Sequence, residues 1–260
     1  MHRRGMFAGA LLLFLCSTTQ PAWPSPANWL ESFQKQLAEL AERSRQNQDP
    51  EQGLAKATRL LQRLLDEVAG GQQACVLFAR VELLRAIFEA KLQRWEDALW
   101  DYAVALNLDP EVAKFSFSDY PELAERFLTQ RKRLLDLKGE LKDDKKTQSK
   151  EINSTLPRAP SSLTALRTTQ PKYPKGALKD RRESTVILGL VVNEKGIPTD
   201  PLFWNENCDQ AAFFVAATEA VRSWAYEPVI IDGPKAVFAH VTVRFSLEGP
   251  DRARDETAHQ

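Results

Sequence analysis

The chain has no excess of charge. Lys and Arg together number 35, and so do Asp and Glu. No long-range field therefore draws nucleic acid or an acidic membrane surface to it, and nucleic acid is not expected as a partner. It is equally short of the groups from which catalytic and metal sites are built. His2, His240 and His259, with Cys16, Cys75 and Cys208, fall at spacings unrelated to any zinc-binding pattern. Neither a phosphate-cradling glycine loop nor a Gly-x-Ser-x-Gly elbow occurs. No catalytic constellation, metal or cofactor is expected, and the chain reads as non-enzymatic; an enzyme with dispersed site residues is the rival from another class.

A run long enough to span a membrane is also missing. Residues 6–16, MFAGALLLFLC, are the most apolar stretch and fall well short of the roughly 20 needed to cross a hydrocarbon core. His2-Arg3-Arg4 before them and the small-x-small site Ser25-Pro26-Ala27 after them give the layout of a secretory signal over residues 1–27. Export without a permanent membrane span is expected. An uncleaved anchor, or a lipoprotein through Cys16, are the alternatives. Removal of the signal leaves Cys75 and Cys208, which are either bridged or separate thiols.

What is present is a 43% hydrophobic fraction in 260 residues, enough for a sizeable core. Residues 28–137 carry helical periodicity and almost no strand signal. Leu30, Phe33, Leu37, Leu40 and Ala41 share one helical face; Asp49-Pro50-Glu51 restarts a helix with Asp49 as cap. Small residues Ala86, Ala98 and Ala105 alternate with Leu83, Trp95, Tyr102 and Leu106, and Asp109-Pro110 closes the segment. That alternation lets two antiparallel helices approach closely. It resembles a tetratricopeptide repeat, best in its second helix, with an ordinary helical bundle as the alternative. Trp95 and Tyr102 are read as packing residues.

Residues 138–169 lose this periodicity and gain charge, Ser, Thr and Pro, the composition of a flexible linker between two folding units. Beyond it, residues 185–192 and 197–204 read as a hairpin, and Asp209 caps a helix whose stripe is Phe213, Ala217, Ala220, Val221 and Trp224. A turn at Asp232-Gly233-Pro234 leads into one long strand, 237–247. Its odd-numbered residues are apolar and should face the helix. Phe238, His240, Thr242 and Arg244, on the even side, should face solvent or a partner.

Tyr173-Pro174 with Ala177, Gly196-Ile197-Pro198, the run from Ala220 through Trp224 to Pro228, Gly233-Pro234 and Val243-Arg244-Phe245 occur in order. Together they resemble the TonB C-terminal domain. The sequence departs from that pattern at Asn205-Glu206-Asn207 and at Pro201. The resemblance implies a small antiparallel sheet with one packed helix that binds an extended segment of an outer-membrane receptor or other envelope protein by strand addition.

The expected fold is α+β in two domains. Residues 1–27 are the signal, 28–137 an all-α tetratricopeptide-like array, 138–169 the linker, 170–248 the TonB-like domain and 249–260 a charged tail. Tyr173, Pro174, Gly196, Trp224, Pro228 and Gly233 are its structural positions. Phe238, His240, Thr242 and Arg244 are the partner-binding candidates, on a last strand expected to show an unoccupied edge. The expected function is a periplasmic adaptor whose sheet pairs one partner while its helices dock another. A homodimer through the last strand would use the same edge, and an energy transducer with an uncleaved anchor is the alternative function.

Overall fold

The structure, a computed structural model, describes residues 27–146, 156–157, 159, 163–204, 207–231, 233–247 and 253–256. Residues 1–26 of the expected signal lie outside these. Among the described residues no helix is long and apolar enough to cross a membrane.

The helical part contains α1 (Ala27–Arg45), α2 (Pro50–Glu67), α3 (Gln72–Lys91), α4 (Trp95–Leu108) and α5 (Pro121–Lys146). Asp49 caps α2 as its position implies, its carboxylate accepting a bond from the Gln52 amide at 3.0 Å. Ala86, Ala98 and Ala105 are fully buried, which is why α3 and α4 can close on each other as a hairpin. Tyr102 packs on Phe127 and Phe117 with ring centroids 4.9 and 5.9 Å apart and is a core residue, while Trp95, half-buried, packs against the core at Phe127. α5 runs to Lys146, past the boundary expected at residue 137. The charged run Lys142-Asp143-Asp144-Lys145-Lys146 is helical, not linker. It has lost the apolar face that packs, but it holds good helix formers and no proline.

The C-terminal part opens with β1 (Ala165–Arg167) and α6 (Lys175–Lys179), followed by β2 (Ser184–Val192), β3 (Pro198–Phe203) and α7 (Ala211–Val221). Then come β4 (Ala225–Tyr226), β5 (Val229–Ile230), β6 (Pro234–Lys235), β7 (Val237–Phe245) and β8 (Ala253–Glu256). The main sheet has the order β3-β2-β7-β8, all neighbours antiparallel. β1 pairs with β4, and β5 with β6. The β2–β3 turn is held by Asn193, whose side-chain oxygen accepts from the Lys195 and Ile197 amides. Gly196 is required in it: its φ is +78°, and a Cβ there would lie 1.9 Å from the Tyr226 carbonyl oxygen. β8 lies within residues 249–260, read from sequence only as a charged tail.

The separation into two independent units is not what forms. The reason lies in α7, AAFFVAATEAV, which is apolar nearly all round and so needs cover on both sides. The sheet covers one side, where Phe214 stacks on Phe203 of β3 at 4.2 Å and Phe213 meets Phe245 of β7 at 5.0 Å. α3 and α4 cover the other, and α4 also lies along β3. A disulfide between Cys75 of α3 and Cys208, just ahead of α7, resolves the question the sequence left open. The flank of the α3–α4 hairpin toward α7 and β3 is covered by the chain's own C-terminal part.

The linker is corrected at its far end also. Leu156, Ala159 and Leu163 pack against the core, and the Thr169 carbonyl accepts from Trp224 Nε1 at 2.8 Å. Residues 147–155 lie outside the described residues.

Candidate functional site

Antiparallel pairing directs the backbone groups of alternate residues to opposite sides of a strand. In β7 both backbone groups of Phe238 point away from β2: its amide donates to the Pro157 carbonyl at 3.0 Å, and its carbonyl accepts from the Ala159 amide at 2.8 Å. By that alternation His240, Thr242 and Arg244 also direct their amides and carbonyls to the outer edge. The four residues singled out for their side chains are therefore also the four whose main chain can pair.

That edge is not open. The segment around Pro157 and Ala159 holds Phe238, and β8 lies along the far half with Thr242 opposite Glu256, Val243 opposite Asp255, Arg244 opposite Arg254 and Phe245 opposite Ala253. The expectation of an unoccupied border is overturned because the chain on both sides of the domain folds back onto it. An exposed strand border is a template for any extended backbone, and the nearest available backbone is the molecule's own. Glu183 directs the return: its carboxylate accepts from the Leu247 amide and the Ser246 hydroxyl where β7 ends. The Leu247 amide, first among the causes, holds the Glu183 carboxyl below the usual range.

The opposite border, β3, is closed by side chains from the helices. Asn107 of α4 donates to the Pro201 carbonyl at 2.8 Å and accepts from the Phe203 amide at 3.1 Å, so its carboxamide stands in for a neighbouring strand. Asp200, with φ of +52° and buried, is bound by Gln130 and Arg133 of α5 at 2.7 and 2.9 Å. Here the register of β3 on β2 shifts, which accommodates Pro201 within the strand.

On the outer face, Phe238 is buried rather than exposed, at 7%. Its ring lies over Gly189 of β2, where a Cβ would come within 2.8 Å of Phe238 Cζ. Trp204 and Phe238 each meet the His240 ring edge-on, at 4.2 and 5.0 Å. His240 and Arg244 are exposed and Thr242 is half-buried. The structural positions sit in the scaffold. Tyr173 packs on Phe213 and Phe245, Pro174 precedes α6, Trp224 is buried, Pro228 separates β4 from β5, and Gly233 with φ of +109° turns β5 into β6.

What fixes the sheet against the helices is a buried ionic cluster that the sequence did not signal. Arg222, just after α7, reaches Asp101 at 2.8 Å, Asp97 at 2.7 Å and Glu89 at 3.4 Å. Arg85 of α3 reaches Glu82 and Glu219 at 3.0 Å and Asp101 at 3.3 Å. Carboxyls outnumber guanidiniums in this dry space. Burial, and then the Asp101 charge, push the Glu89 carboxyl up to about 9. Glu82 is raised well above its ordinary value and Asp101 is raised too, in both cases chiefly by burial and against the pull of Arg85. Its ion pairs join α3 and α4 to the chain at the end of α7, so the cluster acts as an ionic clasp.

Residues 169–247 match the family model described as the Gram-negative bacterial TonB protein C-terminal. The chain is also similar to Protein TonB of Vibrio cholerae serotype O1, 33% identical over 81 residues, which are 31% of this chain and 33% of that protein. The chain thus spans about a third of the length of that curated relative. No solved structure matches it. β2, β3, α7 and β7 all lie within the matched region; α1 to α5, residues 157 and 159, and β8 lie outside it.

Proposed function

Because residues 169–247 form a TonB C-terminal domain, we propose that the chain is an exported, non-catalytic adaptor of the bacterial envelope that pairs an extended segment of an envelope protein or outer-membrane receptor onto β7. The observation that carries this reading is the pairing already present at that edge. Two separate extended segments of the chain hydrogen-bond to outward-facing residues of β7, so the border accepts strands whose side chains have little in common. The helical part serves as a rigid mount for the sheet through α3 and α4, and the outer faces of α1, α2 and α5 remain for a second protein.

The test is a photo-crosslinking amino acid at His240, introduced into the full-length protein and irradiated in intact cells. Adducts with an extended segment of another envelope protein, lost when Thr242→Pro removes an outward-facing amide, are the expected result. Adducts confined to the chain itself would refute the reading.

A further inference from the structure

Resting on the strand-pairing reading, we propose that the C-terminal tail is a built-in occupant of the pairing site: residues 253–256 lie on Thr242 to Phe245 as an exchangeable antiparallel strand, and a partner must displace them.

Three observations converge. First, the ladder of β8 on β7 covers the two outward-facing residues Thr242 and Arg244 while leaving the inner ladder to β2 intact, from Ser184 opposite Phe245 to Val192 opposite Val237. Removing β8 therefore opens an edge without dismantling the sheet. Second, the exit from β7 is arranged for return. Glu183 holds the Ser246 hydroxyl and the Leu247 amide, and only residues 246–252 lie between the two strands, so the tail is presented to its site at high effective concentration. Third, the occupant is short and polar. Ala253-Arg254-Asp255-Glu256 offers four residues of ladder and little apolar side chain, so main-chain bonds carry its attachment. Each such bond contributes only modestly once exchange with water is counted.

The two segments on β7 differ in how they can leave. The one at Phe238 is the nearer end of a stretch that also anchors through Thr164, whose carbonyl accepts from the Glu227 amide, through the β1–β4 pair and through the Thr169 bond to Trp224. For residues 253–256 the attachment to the fold is the ladder on β7. Thr242 to Phe245 is thus the part of the edge that opens, and Phe238 is its fixed end. A partner segment suited to it runs antiparallel to β7, as β8 does, and needs no particular side chain at the ladder positions.

The experiment compares the full chain with one ending at residue 248. In hydrogen exchange read by NMR, the amides of Thr242 and Arg244 should exchange on the order of tenfold faster in the shortened chain, while those of Val241 and Val243, bonded to β2, stay protected. A synthetic peptide of residues 249–260, added at millimolar concentration, should shift the Thr242 and Arg244 amides of the shortened chain and leave the full chain unchanged. Arg254→Pro in the full chain, which removes an inward-facing amide of the tail, should reproduce the faster exchange without truncation. Equal exchange in both chains, or a peptide that shifts neither, would overturn the proposal. So would a dimer lost on truncation, since the tail would then lie on a second copy. A partner crosslinked at His240 equally well in the full and shortened chains would leave strand pairing standing and remove only the tail's competing role.

Discussion

Replacing Arg222 with methionine removes one charge and keeps most of the aliphatic stem, so the loss is electrostatic rather than a loss of packing. Of its partners, Asp101 is 1% exposed and Glu89 is 7% exposed, whereas Asp97 is 49% exposed. The exposed pair is worth at most about 1 kcal/mol. The buried ones decide the outcome, because breaking a buried ion pair from one side leaves a charge without compensation, at about 3–5 kcal/mol. Asp101 keeps Arg85 at 3.3 Å, which places the expected loss near the lower end, about 3 kcal/mol. For a chain of this size that is a fall in Tm of roughly 6–12 °C. The sign of its pH dependence follows. Glu89, raised to about 9, is already largely neutral at pH 8, so the pH dependence rests on Asp101: without Arg222 it holds its proton still more tightly in the fold than in the unfolded chain, so the deficit is largest at alkaline pH and shrinks as pH falls and Asp101 becomes neutral. Calorimetry at pH 8 and pH 5.5 measures both quantities. A Tm loss under about 2 °C at pH 8, equivalent to less than about 1 kcal/mol, or a deficit that grows on acidification, would refute the account of the clasp.

Three further outcomes are expected. Glu89, raised to about 9 in the fold from an ordinary 4.5, contributes stability that is full below the unfolded value and lost as pH rises through the folded one. Between those limits urea unfolding should show stability falling by at most about 1.4 kcal/mol per pH unit from this group, and Glu89→Gln should flatten that slope. The Cys75–Cys208 bridge closes a sequence separation of 133 residues, so the chain-entropy relation gives about 5 kcal/mol. Reduction, or Cys75→Ser with Cys208→Ser, should lower Tm by roughly 10–20 °C, and an unchanged Tm would mean the clasp suffices without it. Gly189→Ala forces Phe238 off the outer face at a cost of roughly 1–3 kcal/mol and should unprotect the Phe238 amide held by Pro157; retained protection would show that the ring can shift without moving its strand.

Local pattern made much of this legible. The helix stripe from Phe213 to Val221, the turn ending at Gly196 and the alternation of β7 beyond Phe238 are set by neighbours in sequence and form where periodicity places them; Trp224 lies past the end of α7, and Phe238 is buried on the side expected to be exposed. The residues that join the two parts carry no such signal. Asn107 reads as an ordinary polar residue near a helix end, yet its carboxamide closes β3. Arg222 and Asp101 lie 121 residues apart with no local signal of pairing, yet they meet across the α4–α7 contact. Pro157 and the Ala-Arg-Asp-Glu of the tail have the composition of solvated chain and pair only because β7 offers a border. The one clue to fusion was α7, with too little polar surface for a helix covered on one side only.

The two sheet borders are closed by unlike means, and that difference gives the molecule a direction. β3 is sealed by Asn107, Gln130 and Arg133, side chains of helices whose own cores depend on staying where they are. Opening it would separate α4 and α5 from the sheet and expose the apolar flank of α7. The far half of β7 is sealed by main chain from β8, whose Ala253-Arg254-Asp255-Glu256 brings little hydrophobic area, so exchanging it costs hydrogen bonds that an incoming strand restores. Under the proposed exchange, β7 rather than β3 is therefore the border at which strands would trade. The Cys75–Cys208 disulfide and the Arg222 clasp tie the chain on both sides of α7 to α3 and α4, so under the proposed exchange the remainder of the fold would stay in place.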